Sequence, residues 1–232
     1  MWCVSLEASW DEAVPDEPRW VEIRSMLLSG RAFIVGDPSG AVVVAPDRSL
    51  AGVVGLPSED VLEATVTSLS EQSEILVMEE SLDHVRAFVP LAESTRAIIH
   101  RLATPLSDEQ VGDVEISPVD GRLLSALPDA LVGEVDGAHT VALRREGPLV
   151  VAVCSAWWPT ETLWDVGVDT LEGYRRQGHA RAAFTALARH MGVVHGLEPV
   201  WGATVDNHAS LRMAESLGFV AESSLWLFRN SR

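Results

Sequence analysis

An α/β fold in two parts is what the sequence predicts, and three observations carry that prediction. Apolar runs of strand length alternate with stretches whose apolar residues recur every three or four positions. Glycine, proline and asparagine clusters of the kind that make turns fall between them. The chain has 232 residues, 47% hydrophobic and 22% charged, which suits one large or two small domains and is apolar enough to bury a core.

Residues 1–30 are acidic, carry tryptophans and read as helical over 20–28. The apolar runs 32–35 and 41–45 flank Asp37-Pro38-Ser39-Gly40, which reads as a β-hairpin. Val61, Leu62, Thr65, Val66 and Leu69 follow helical spacing; Ser58 is the expected N-cap, with Glu59 and Asp60 at the positive end of the helix dipole. Residues 75–78 are a strand candidate, 82–88 a short helix and 97–102 another strand. Thr104-Pro105-Leu106-Ser107-Asp108-Glu109 reads as a linker. It divides a smaller α/β domain, 1–105, from a second domain, 106–232.

In the second part, 139–144 and 149–157 are β-rich and joined by Glu146-Gly147-Pro148, a hairpin signal. Residues 163–168 make a third strand. Ala180, Phe184, Leu187 and Met191 lie on one face of a helix ending near Gly192. Residues 199–205 form a strand, and Asp206-Asn207 caps a helix bearing Leu211, Ala214 and Leu217, closed by Gly218. Residues 224–228 are the final β-rich run.

The formal net charge of −17 argues against nucleic acid, because phosphate binding needs clustered basic residues. It favours a neutral or cationic partner. Cys3 and Cys154 lack CxxC spacing, so neither a metal site nor a disulfide framework is expected, and a cytoplasmic protein with reduced thiols is. The first residues lack the basic and apolar stretches of a signal peptide. The longest apolar run, 149–158, is too short to span a bilayer, so no membrane role is expected.

The motif that carries chemistry is Tyr174-Arg175-Arg176-Gln177-Gly178-His179-Ala180. A strand, a glycine-bearing turn and a helix in succession make an anion site, because the first amides of a helix have no intrahelical partner and point outward. Gly178 and the small Ala180 let backbone approach a phosphate. Arg175, Arg176 and Arg181 form a basic island in an acidic chain, which suits a pyrophosphate. A mononucleotide site would want GxxxxGK[ST] and a dinucleotide site GxGxxG; neither string is present.

Arg175-x-x-Gly178-x-Ala180, preceded by Val166-Gly167-Val168, resembles the acetyl-CoA motif of the GNAT acyltransferase superfamily. The resemblance continues through Pro199-Val200-Trp201 and Asn207-x-x-Ser210 to Ala214-Glu215-Ser216-Leu217-Gly218-Phe219, and covers residues 161–229. It implies a mixed sheet flanked by helices. The smaller N-terminal domain, with its similar element order, is then expected to be a degenerate copy of the same fold.

The resemblance also implies a soluble N-acyltransferase using acetyl-CoA or another acyl-CoA, without a metal. The backbone of Val166 and Val168 would pair with pantetheine. The amides of Arg176, Gln177, Gly178, His179 and Ala180 would hold the pyrophosphate beside Arg175. Asn207 and Ser210 would face the pantetheine arm or the acyl end. The acyl group would pass directly to an amine, a small molecule of neutral or cationic character. A homodimer is among the open states of assembly.

Two departures from the family pattern stand out. The position of the family's closing-helix tyrosine is Ala214, and the only tyrosine of the chain is Tyr174. The position of the usual glutamate base is Thr162, with Glu161 adjacent. Glu161 and Asn207 are therefore the catalytic candidates, Glu161 acting through a water. An acyl-CoA-binding protein without transferase activity is the rival reading, and the absent tyrosine favours it.

Plainer roles are expected elsewhere. Glu161 and Asp165 read as carboxylates either at the surface or backing the residues that touch a ligand, and His179 as a turn residue. His190 and His195 lack metal spacing. Trp157, Trp158 and Trp201 could line an acceptor pocket, but core packing is the commoner fate of such residues.

Overall fold

The computed structural model describes residues 6–70, 72–88, 93–104, 106 and 112–229. Cys3 and most of the expected linker after Thr104 lie outside the described residues. The described chain forms two compact units. Unit 1 comprises Met1–His100, Gly202–Leu211 and Ala221–Arg232; unit 2 comprises Arg101–Trp201 and Arg212–Val220.

The chain opens with helices α1 (Ala8–Ala13) and α2 (Val21–Leu28), the second entered through a 3-10 turn at Pro18–Trp20. The Arg24 side chain, 5% exposed, ties these helices down. It donates to the Val14 carbonyl at 2.6 Å and pairs with Asp11 at 2.7 Å. Strands β1 (Phe33–Asp37) and β2 (Gly40–Val44) form the expected hairpin, with Asp37 opposite Gly40. A strand not foreseen from the sequence, β3 (Leu50–Gly55), pairs antiparallel with β2. Its residues are buried almost throughout, so it has no polar alternation to announce it.

Helix α3 (Glu59–Ser68) starts at Ser58, whose hydroxyl accepts from the Val61 amide at 3.4 Å, the expected cap. Strand β4 (Glu74–Met78), helix α4 (Leu82–Phe88) and strand β5 (Glu93–Leu102) follow. The next elements were not read from the sequence: β6 (Val114–Pro118), α5 (Gly121–Leu124) and α6 (Asp129–Val135). Then come β7 (Thr140–Glu146), β8 (Leu149–Trp157), β9 (Leu163–Thr170) and α7 (His179–His190). Helix α7 runs on into a π-turn over Met191–His195. Strand β10 (Glu198–Thr204), helix α8 (His208–Ser216) and strand β11 (Phe219–Arg229) are the remaining described elements.

In unit 1 the strands are ordered β1-β2-β3-β4-β11-β5. Strand β4 runs parallel to β3 and antiparallel to β11, with Leu225 opposite Met78. The core beneath joins Val42, Val53, Leu62, Val66, Val77 and Phe228. In unit 2 the order is β10-β9-β8-β7-β6, with β10 parallel to β9 and the remaining pairs antiparallel. Leu131 and Val135 of α6 pack on Val141, Leu143 and Val153 of the sheet. Phe184, Trp201 and Phe219 stack edge to face or tilted, with centroids 5.4 to 5.6 Å apart. Cys154 is fully buried on β8, and burial pushes its thiol well above the ordinary range.

Candidate functional site

The turn between β9 and α7 has the backbone of an anion receptor. A short 3-10 turn at Glu172–Tyr174 leads out of the strand. Arg176 then adopts φ +62° and Gly178 φ +85°. Two left-handed residues set one apart turn neighbouring amides toward a common point, a nest for an anion. Gly178 is the N-cap of α7 and no side chain caps that helix. Its first amides are therefore left to an outside acceptor. A Cβ built on Gly178 would meet nothing within 4 Å, so the approach is open.

The side chains of the turn mostly brace it. Arg175 Nε donates to the Thr170 carbonyl at 3.1 Å and its guanidinium lies 3.7 Å from Asp169. Gln177 reaches back to the Gly173 carbonyl at 3.2 Å. Arg181 donates to the carbonyl and hydroxyl of Ser216 at 2.9 and 2.7 Å, near the end of α8. The His179 ring is buried, edge-on to Tyr174 at 6.1 Å, with Nδ1 3.5 Å from Arg144 Nε. Thr170 Oγ1 and His179 Nε2 are buried without a partner among the described residues. The uncapped helix, the nest, the open approach and these orphaned atoms fit a bound phosphate group.

Strand β9 offers a second feature. It pairs with β8 from Asp165 to Thr170, but with β10 only at Leu163, Trp164 and Asp165. Among the described residues β10 pairs with β9 no further than Asp165, so the edge at Val166 to Asp169 has no ladder partner there. An extended chain can pair there with backbone groups that β10 does not take.

The opposite feature of β9 is a group of carboxylates. Glu134 reaches down from α6 onto Gly167, where an added Cβ would overlap its Oε1 and crowd the Trp157 indole nitrogen. The strand is therefore open to Glu134 only because residue 167 is glycine. The Glu134 carbonyl accepts from Ser155 Oγ at 2.8 Å and from Trp157 Nε1 at 3.2 Å, which fixes the end of α6 over the sheet. The Glu134 carboxyl is pushed up to about 7, first by burial and then by the Asp169 charge, against the opposing Trp157 hydrogen bond. Asp165, on the same strand face, is also raised to about 7, first by burial and then by Glu134. Of the two roles expected for Asp165, the surface one does not hold: α6 covers the face of β9 that Asp165 shares with Gly167. Glu134 was missed altogether, because nothing in 129–135 marks it until the helix lands on β9.

Comparison with known proteins adds to this geometry. The sequence model described as GNAT acetyltransferase matches residues 136–228, which span β7 to β11 and include the turn and strands β9 and β10. Residues 136–228 are a GNAT acetyltransferase domain. A GCN5-related N-acetyltransferase-like protein from Streptococcus suis 89/1591 superposes with a TM-score of 0.72 at 19% identity, covering 94% of this chain and 95% of that one. A GNAT-family protein from Novosphingobium aromaticivorans DSM 12444 gives 0.66 at 17% identity, covering 92% and 96%. A tandem GNAT protein from the clavulanic acid biosynthesis pathway gives 0.56 at 10% identity, covering 98% of each chain. At these identities the shared property is the fold, which extends over both parts of the chain. No curated protein matches significantly.

The remaining expected residues of the GNAT domain sit as follows. Val166 is buried and Val168 half-buried on the length of β9 beyond Asp165. Glu161 is exposed in the bend before β9 and is not part of the strand. Ala214, at the tyrosine position of the family pattern, is fully buried on α8. Asn207 and Ser210 belong to unit 1, where Asn207 Oδ1 accepts from the Ser210 amide at 3.1 Å, an N-cap bond for α8. Trp201 is a core residue, 1% exposed, whereas Trp157 and Trp158 are half-buried with centroids 6.3 Å apart. Among the described residues, no group of three His, Cys, Asp or Glu is placed to hold a metal, and no helix is long and apolar enough to cross a membrane.

Proposed function

We propose that the protein is an N-acyltransferase that moves an acetyl or other acyl group from CoA directly to an amine. The observation that carries this reading is the uncapped, nest-forming turn at Arg175–Ala180, set beside a strand whose edge opens at Val166. The amides of Arg176 to Ala180 would hold the pyrophosphate, with Arg175 beside them, and the backbone of Val166 and Val168 would hold the pantetheine arm. When bound, acyl-CoA supplies an acyl thioester, an electrophile that an unprotonated amine can attack.

The chain's own contribution is to orient that amine and take its proton. In this reading Asp165 and Glu134 do so. They lie on one face of β9, and both are held near neutral pH, where a carboxylate can accept a proton and release it again. Glu161 is less suited, because it stands in an exposed bend. A carboxylate pair would also favour a neutral or cationic acceptor over an acid. No tyrosine acid is required, because a thiolate near the ordinary cysteine range, roughly 8.5, is a tolerable leaving group.

Calorimetry with acetyl-CoA tests the cofactor site. Wild type should bind, and Gly178→Asp should not, since it puts a carboxylate where the phosphate sits. The Gly178 site is open, so the fold should lose only about 1 kcal/mol for a non-glycine at positive φ. Equal binding by both proteins would place the phosphate elsewhere. The buried Ala214 favours one other reading, a protein that binds acyl-CoA without transferring from it. Release of free CoA in the presence of any member of an amine panel would eliminate that reading.

A further inference from the structure

Strand β1 is an edge with little protection: the Arg48 guanidinium lies 5.8 Å from the Phe33 ring centre and Gly36 takes φ +106°. Among the described residues it pairs only with β2, and it is the outermost strand of unit 1. Phe33 is 52% and Ile34 44% exposed. Its register with β2 is unbroken, it contains no proline, and Asp37 at its end is its only charge. Exposed edges usually carry charges, prolines or bulges that discourage further pairing. Strand β6, outermost in unit 2, does carry such features, with Glu115 tied to Arg145 and Pro118 at its end.

We infer that β1 pairs antiparallel with β1 of a second copy of this chain, about a two-fold axis at Ile34. Directly opposed residues of antiparallel strands share a face, so a symmetric pairing must be centred on a residue. Centred on Ile34, the pairing sets Ile34 against Ile34, Phe33 against Val35, and Arg31 against Asp37, each of the last two contacts made twice. Centred on Val35 it would instead set the Phe33 ring against the Asp37 carboxylate and leave Arg31 opposite Ser39. Arg31 and Asp37 are both exposed. Their opposition supplies the charge complementarity that selects a copy of the same strand over an unrelated one. The stretch 31–48 holds two arginines, Arg31 and Arg48, and two aspartates, Asp37 and Asp47. It is therefore neutral within a chain of net charge −17, so two copies can approach there without the repulsion felt elsewhere. The inference stands independently of the proposed activity.

Centred on Ile34 the ladder matches Phe33–Val35 within β1 and extends to residues 31 and 32 ahead of the strand, a small interface, so the dimer should be weak and best seen at tens of micromolar or above. Sedimentation of the full chain should show the mass rising with concentration from 25.1 kDa toward twice that value. Ile34→Lys should leave a monomer. Arg31→Asp and Asp37→Arg should each weaken self-association by about tenfold or more, because each sets like charges opposite one another twice. Mixed together, those two variants should form a heterodimer, since both Arg31–Asp37 contacts then join opposite charges again. Melting curves matching wild type would confirm that Arg31→Asp and Ile34→Lys remain folded. A monomer at about 200 micromolar, a dimer indifferent to both of these variants, or a failure of the mixture to associate would each overturn the inference.

Discussion

Replacing Glu134 by glutamine leaves its shape and its place over Gly167 but removes the carboxyl that is held at about 7 instead of the ordinary 4.5. Between those two values the folded protein keeps a proton that the unfolded chain releases. Stability is therefore fully present below pH 4.5 and is lost as pH rises through 7. A tenfold change in proton affinity corresponds to ~1.4 kcal/mol, so the full gap would amount to about 3 kcal/mol. Glu134 is only half-buried, and solvent screening reduces the usable part to about 1–2 kcal/mol. Glu134→Gln has no such proton to lose. Relative to wild type it should gain about 1–2 kcal/mol between pH 5 and pH 8, or about 2–8 °C in melting temperature for a chain of this size. Thermal unfolding of both proteins at intervals from pH 5 to pH 8.5 measures the difference directly. Asp165→Asn should behave similarly, and the double variant should gain less than the sum, because Glu134 helps to raise Asp165. Two melting curves that run parallel across this pH range would refute the burial and charge argument for Glu134.

Two further outcomes follow from other parts of unit 2. Trp201→Ala should destabilise by about 3–5 kcal/mol, since it empties the space between Phe184 and Phe219; a loss below about 1 kcal/mol in urea unfolding would mean that the ring cluster collapses freely. Tyr174→Phe keeps the ring that packs on His179, so kcat for acyl transfer should stay within about tenfold of wild type, and a loss of several orders of magnitude at unchanged CoA affinity would make Tyr174 the acid.

The parts of this molecule that local chemistry governs were legible in its sequence. Ser58 caps α3 because a hydroxyl before an acidic first turn can do little else there. The α7 turn announced itself through Gly178 and its arginines, because a helix start is built from consecutive residues. What was not legible depends on partners distant in sequence. Strand β3 is covered on both faces and shows no alternation. Asp165 alternates with the buried Trp164 and so read as exposed, until α6, some thirty residues upstream, covered its face. Glu134 has no motif; its importance comes from the strand it lands on. The basic island also has a structural side that its spacing did not announce. Arg175 Nε and Arg181 Nη2 brace Thr170 and Ser216, so these two side chains also help to hold the turn in place.

The path of the last strand bears on how the chain is made. Strand β11 lies between β4 and β5 in unit 1, with Leu225 opposite Met78, yet it is synthesised after every other described element. While a ribosome is still working, unit 1 has its first four strands and a vacant place where the fifth belongs. Its core lacks Phe228 for the same period. The nascent N-terminal part must then wait with two strand edges unsatisfied, a state open to mispairing and to chaperone capture. A chain cut before residue 221 lacks an interior strand of the first unit, so the N-terminal half of this protein cannot be obtained by cutting the gene at residue 105.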